Sequence, residues 1–329
     1  MGRTEPRSLA TAAGSHAVPV DHRAIALLAS EQHGALSHRQ VLERGATRSS
    51  IATAIESGRW IRTTRGVYVL AGHASTVAQR AMIATLSRPG TVAASLTAAH
   101  LEGWVEASPH RPQLIAPRTA SARSSFASIH RCDLDPDERG HRLGVPTTAP
   151  HRTLVDLAAI VGPRRLARVV DAAMHDGATS HRRVIERLER TPNLRRAARA
   201  ALLDALGPWD ATIRPGSPQE ARLVRTIVDW GYPMPKLQIE VVDELGQTIA
   251  RPDGGWPERQ LAFEYDSRRF HGPERWAHDE ARHVEIEQLG WTLLHADATD
   301  LRPGERSFRD QLARAWRRTG PATAGHRAP

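Results

Sequence analysis

Apolar positions recur at helical spacing in three short runs near the start of the chain, and polar capping residues or glycines punctuate them. DHRAIALLASEQHG carries Ile25, Leu27, Leu28 and Ala29 and stops at Gly34. SHRQVLERG opens at Ser37, carries Val41 and Leu42 and stops at Gly45. TRSSIATAIESG opens at Thr47, carries Ile51 and Ile55 and stops at Gly58. A Ser or Thr hydroxyl at a helix start accepts from the free N–H groups of the first turn, and a glycine stop takes the left-handed conformation that ends the helix. RWIRTTRGVYVLAG then reads as two short strands around a Thr-Arg-Gly turn. Three helices and a small hairpin predict a winged helix-turn-helix over residues 21–72, whose third helix is the one that enters a major groove. Its candidate DNA-contacting residues are Arg48, Ser49 and Thr53, with Arg59, Arg62 and Arg65 on the wing. The alternative is that these arginines form a solvated face and that the module binds protein.

Residues 73–205 read as a mixed α/β middle region. VAQRAMIATLSRPG and SLTAAHLEGW have helical spacing, PQLIAP and SFASIHRCDL read as strands, and TTAPHRTLVDLAAIVG, PRRLARVVDAAMHDG and SHRRVIERLERTP read as further helices. The histidines His100, His110, His130, His141 and His151 show no metal-ligand spacing. Residues 206–216, rich in Pro and Gly, are the linker candidate, and residues 1–20 and 319–329 read as disordered tails.

Residues 217–318 form the last expected domain, with the order α-β-β-β-α-β-α: a mixed sheet flanked by helices. SPQEARLVRTIVDWG is an amphipathic helix with Ser217 as cap and Pro218 at its first position. KLQIEVVDELGQTIARPD is expected as a hairpin turning at 244–247, RQLAFEYDS as a third strand and WTLLHAD as a fourth. In that picture Asp253 ends one strand, a Gly/Pro turn follows, and Glu264 and Asp266 lie on one face of the next strand, with Leu261, Phe263 and Tyr265 on the other.

Composition changes the picture in one respect. The chain has 329 residues and a formal charge of +9, which favours a polyanionic partner, nucleic acid being the commonest. Of its 45 basic residues only Lys236 is a lysine, so codon bias contributes to the arginine content. The single cysteine, Cys132, excludes an internal disulfide and a Cys-based zinc finger. No signal-like apolar core opens the chain and no run of about 18 apolar residues occurs, so a cytoplasmic protein without a membrane span is expected. Three carboxylates in a basic chain are costly unless a cation sits among them, and Mg²⁺ or Mn²⁺ is the natural occupant. A basic surface with a carboxylate-held metal is the chemistry of phosphodiester cleavage.

The C-terminal motifs resemble the PD-(D/E)xK restriction-endonuclease-like superfamily, and within it the Vsr-like group. The residues that carry the resemblance are Glu220, Pro252-Asp253, Glu264 with Asp266, Phe270-His271, Asp279 with Arg282, and Gly290-Trp291-Thr292-Leu293. The stretch SHRQVLERGATRSSIATAIESGRWIRTTRGVYVL is similar to the winged-helix module of AbiEi-like type IV antitoxins, and GVPTTAPHRTLVDLA is similar to a phrase found after it. Together they imply a multidomain α+β protein: a winged helix, an AbiEi-like middle region and an endonuclease-like α/β sandwich around a mixed sheet. They also imply double-stranded DNA and a cognate toxin as partners.

The resemblance further implies metal ligation by Asp253, Glu264 and Asp266, assisted by Glu220, with His271 or Arg282 steadying the phosphate. Departures stand beside it. The motif lysine position holds Asp266, and the chain's lysine, Lys236, lies on an earlier strand. Ser267 replaces the usual glycine, and His295 stands where an arginine is common. Each residue also has a plainer reading. Asp253 suits a turn, Glu264 and Asp266 a salt bridge to Arg251 or Arg282, and Glu220 a capping box with Ser217. Two functions follow: a metal-dependent endonuclease that binds DNA, or a non-catalytic regulator or antitoxin on a degenerate nuclease fold.

Overall fold

The computed structural model describes residues 20–120, 124–209, 215–243, 245–266, 283–302 and 304–320. The chain divides into two compact units. One comprises Met1–Thr97, Ser108–Leu134 and Arg139–Thr147; the other comprises Ala98–Ala107, Asp135–Glu138 and Thr148–Pro329.

The first unit begins with α1 (His22–Glu31), β1 (Ala35–Ser37), α2 (His38–Leu42), α3 (Arg48–Glu56), β2 (Trp60–Thr64) and β3 (Val67–Leu70). Both expected caps form, and each is a reciprocal box. Ser37 accepts from the Gln40 N–H while the Gln40 side chain accepts from the Ser37 N–H, and Thr47 and Ser50 do the same for α3. Ile25, Leu36, Val41, Ile51 and Tyr68 are buried together beneath the helices. The wing has one strand more than expected: β1 pairs antiparallel with β3, giving the order β1-β3-β2. Three residues are too few for alternation to announce a strand.

The unit continues through α4 (Val77–Ser87), β4 (Val92–Ala93), α5 (Ser95–Leu101, which runs into the second unit), β5 (Gln113–Ala116), β6 (Ser128–Arg131), β7 (Arg139–Arg142) and β8 (Val145–Thr148). These five strands form one mixed sheet in the order β6-β5-β4-β8-β7.

In the second unit, α6 (Pro150–Ala158), α7 (Pro163–His175), α8 (His181–Glu189) and α9 (Arg196–Leu206) precede α10 (Pro218–Asp229). The phrase around α6 is structural. Glu138 is 2% exposed and pairs with Arg152 at 3.1 Å and with Arg187, while Arg152 also holds Asp156 at 2.9 Å. Trp209, within the stretch read as a linker, is buried and donates its Nε1–H to Asp171 at 3.0 Å, and Arg225 of α10 pairs with the same carboxylate.

Beyond α10 come β9 (Lys236–Leu237), β10 (Val241–Val242), β11 (Thr248–Ala250), β12 (Gly254–Trp256), β13 (Leu261–Tyr265), helical residues 283–288 (α11), β14 (Thr292–Ala296) and α12 (Ser307–Arg318). The sheet order is β14-β13-β12-β9, with β13 and β14 parallel and the other neighbours antiparallel. One face, with Trp256, Leu261, Phe263 and Leu294, packs on Leu223 and Ile227 of α10 and on Phe308 and Leu312 of α12. The other face carries Ala262 and Leu293 and packs on Ile286 of α11.

Two expectations change here. The single hairpin is split, because β10 and β11 pair with each other while β9 leaves them to pair with β12. Gly254-Gly255 is not a turn but the strand β12; the reversal falls at Pro257–Arg259, with Gln260 left-handed at φ 50°. Glycine is required at position 255, since a Cβ there would strike the Leu261 carbonyl and lie 2.8 Å from Ala262 Cα. Among the described residues no helix is long and apolar enough to cross a membrane.

Candidate functional site

The first candidate surface is the outer side of α3 and the wing. Ile51 and Ala54 of α3 are buried, and this fixes the opposite side toward solvent. Arg48, Ser49 and Thr53 are all exposed there. Arg59 precedes β2, Arg62 lies within it and Arg65 sits in the turn before β3, and all three are exposed. Arg62 lies over the Tyr68 ring with 6.0 Å between guanidinium carbon and centroid, which restrains it on the wing. The six residues singled out from the sequence therefore sit on solvent-facing positions of one winged-helix module. A short helix presenting hydroxyls and a guanidinium, flanked by an arginine-bearing hairpin, can read base edges and hold backbone phosphates.

The second candidate is the acidic group at the end of β12 and β13. Gly254 pairs with Phe263, so the residue before β12 meets the chain just beyond Phe263. Asp253 accepts the Tyr265 backbone N–H at 2.7 Å. Burial pushes the Asp253 carboxyl up to about 6; the Tyr265 N–H opposes this, the neighbouring charges of Glu220 and Glu264 raise it further, and the Gln238 side chain lowers it through a hydrogen bond. Asp253, Glu264 and Glu220 thus interact electrostatically, although they come from two strand ends and a helix start.

Glu220 does not complete the expected box with the cap residue. Ser217 accepts from the Glu220 N–H at 3.1 Å, but the Glu220 carboxylate accepts from Gly216 N–H at 2.6 Å, one residue earlier. Arg251, a suggested partner for Glu264 or Asp266, pairs with Glu240 at 2.7 Å instead. Asp266 is exposed, and its N–H donates to Ala296 O at 2.7 Å. Phe270, His271, Asp279 and Arg282 lie outside the described residues. Of the tryptophans, Trp256 is buried and Trp291 packs against the core, while Trp276 is likewise outside the described residues.

Sequence reasoning missed Gln238. Its backbone is left-handed at φ 46°, its N–H donates to Asp253 O at 2.8 Å, and its side-chain amide reaches Glu220 at 3.4 Å. A non-glycine residue in this region is uncommon, and here it links the acidic helix start to the Asp253 segment. Nothing in the surrounding KLQIE pattern separates this residue from an ordinary strand position.

Carboxylate oxygens are the right donors for a hard divalent cation. Among the described residues, however, no group of three or more His, Cys, Asp or Glu side chains is arranged to hold a metal ion. The described donors therefore do not make a metal cage by themselves.

Residues 23–71 match the family described as "Transcriptional regulator, AbiEi antitoxin". This is the stretch that holds α1–α3 and the wing. Similarity also extends beyond it. Uncharacterized proteins from two strains of Mycobacterium tuberculosis, CDC 1551 / Oshkosh and ATCC 25618 / H37Rv, are each 29% identical to this chain over 273 residues. The alignment covers 80% of this chain and 95% of each relative, so both units have counterparts there.

Proposed function

We propose that this chain is a DNA-binding transcriptional regulator of the antitoxin type, in which α3 enters the major groove of double-stranded DNA and the wing arginines hold its phosphates. The observation that carries this reading is the exposed set Arg48, Ser49, Thr53, Arg59, Arg62 and Arg65 on a doubly capped winged helix, within the segment that matches an antitoxin regulator family. A cognate toxin is the protein partner this reading adds, with the cytoplasm as the place of action. The test is selection: purified protein is incubated with sheared genomic DNA, and the retained fragments are sequenced. Enrichment of one promoter-proximal motif supports the reading, and retention without sequence preference counts against regulation.

A second reading is favoured by one observation, the Asp253 carboxyl pushed up to about 6 beside Glu220 and Glu264. A carboxyl raised by burial and by neighbouring carboxylates is a common mark of a functional site. In this reading the C-terminal domain is a Vsr-like, metal-dependent endonuclease. The carboxylates that would hold Mg²⁺ or Mn²⁺ are those of Asp253, Glu264 and Asp266, which the described residues do not gather into a metal-holding group, with Glu220 assisting and His271 and Arg282 attending the phosphate. The chemistry such an ion supplies is stabilisation of charge on the phosphoryl oxygens and activation of water.

Two readouts test it. Plasmid cleavage with Mg²⁺ or Mn²⁺ should occur with the native chain and disappear in Asp253→Ala/Glu264→Ala. Independently, the cation should raise the thermal midpoint at pH 7 in the native chain and not in Asp253→Asn. Absence of both effects leaves the domain as a non-catalytic body of the regulator.

A further inference from the structure

Outside both candidate sites, α12 and the edge strand β14 enclose an open groove of about 420 Å³ lined by Leu294, Gln311, Arg314, Arg317 and Arg318. The three arginines are exposed, and their spacing of three and four residues puts them on one face of the helix. Like charges at these separations repel, so the arrangement costs stability unless an anion lies between them. Among the described residues none of the three pairs with a carboxylate, although Asp310 stands one turn before Arg314.

The usual structural reason for arginines in a last helical turn is to satisfy its free carbonyls and offset its dipole. Part of that task is taken by another residue. Arg259 donates to Trp316 O at 3.2 Å and to Thr319 O at 2.5 Å, with its guanidinium 3.8 Å from the Trp316 ring centroid. Arg314, Arg317 and Arg318 are left facing solvent around a groove whose one apolar wall, Leu294, is 8% exposed.

We infer that this groove is a second nucleic-acid contact, in which Arg314, Arg317 and Arg318 hold consecutive backbone phosphates of double-stranded DNA without reading its sequence. One guanidinium fork with two more a turn later matches a row of phosphates better than a single small anion, and the chain's charge of +9 favours a polyanion. The choice of DNA as the polyanion rests on the function proposed above; the cationic groove itself does not.

The experiment is a salt titration of duplex binding by fluorescence anisotropy, using the full chain. The variants are Arg314→Gln/Arg317→Gln/Arg318→Gln, its Glu counterpart, and a wing variant, Arg59→Ala/Arg62→Ala/Arg65→Ala. Because the α12 arginines are exposed, the first two should fold as the native chain does, which circular dichroism checks. Both α12 variants should bind every duplex more weakly, and the slope of log K against log[salt] should shrink by about 2–3, the value for three lost phosphate contacts. Native affinity and slope in both would overturn the inference. So would binding of ATP that the Gln variant abolishes while duplex affinity is unchanged, which would assign the groove to a small phosphate ligand. If instead the wing variant alone binds like the native chain, the winged-helix reading fails and the α12 contact stands.

Discussion

The Asp253 carboxylate and the Tyr265 backbone N–H are joined at 2.7 Å, so the acidic side chain before β12 is pinned to the end of β13. The bond fixes Asp253 in a half-buried place beside Glu220 and Glu264, where ionisation is unfavourable. Its pKa is about 6 in the folded chain against an ordinary value of 3.8. The folded state therefore binds the proton more tightly than the unfolded state, and stability falls as pH rises from about 4 to about 6. Asp253→Asn keeps an oxygen for the Tyr265 N–H and removes the charge. It should raise stability at pH 7 by about 1–2 kcal/mol, a figure reduced for partial solvent access, and flatten the loss between pH 4 and 6. Urea unfolding across that range measures both; equal slopes in the two proteins would contradict the placement.

Gly255 controls the spacing on which that bond depends. A methyl group there meets the Ile239 side chain and, beside it, the backbone of β13 at Leu261 and Ala262, which cannot turn aside. Gly255→Ala should cost about 3 kcal/mol through forced separation of β12 from β13. Thermal unfolding gives the loss, and an unchanged midpoint would show that the strands tolerate a wider gap.

Glu138 carries a different kind of constraint. It is 3% exposed at its side chain and pairs with Arg152 and Arg187, which are themselves 6% and 10% exposed. Glu138→Gln leaves two buried guanidinium groups without their shared carboxylate and should destabilise the second unit by about 3–5 kcal/mol. Denaturant unfolding should show this as a lowered midpoint, with duplex binding at low temperature retained. A loss below about 1 kcal/mol would mean that Asp156 alone satisfies the pair.

Much of the fold is legible in the sequence where local chemistry decides it. Ser37, Thr47 and Ser217 announce helix starts because a cap is a contact within four residues, and each bonds as expected. The alternation that puts Leu261, Phe263 and Tyr265 on one face of β13 is met, since all three pack in one core while Ala262 between them packs in another. The sequence is silent where pairing is long-range. Leu237, Ile239 and Val241 read as one strand, yet Gln238 at φ 46° breaks the run and sends its two parts to different sheets. Gly254-Gly255 reads as a turn because glycine favours turns, whereas here it permits close approach of two backbones. Glu220 is found by motif, but its actual partner, Gly216, lies one residue outside the motif's geometry.

The central claim, that α3 reads DNA, is tested most directly by anisotropy on a selected duplex and a scrambled one at fixed salt. The native chain should prefer the selected duplex, and Arg48→Ala/Thr53→Ala should lose about 1–3 kcal/mol of that preference per lost base contact while keeping most of its affinity for the scrambled sequence. If the native chain binds both duplexes equally, or if the variant discriminates as well as the native chain does, α3 is not the reading helix.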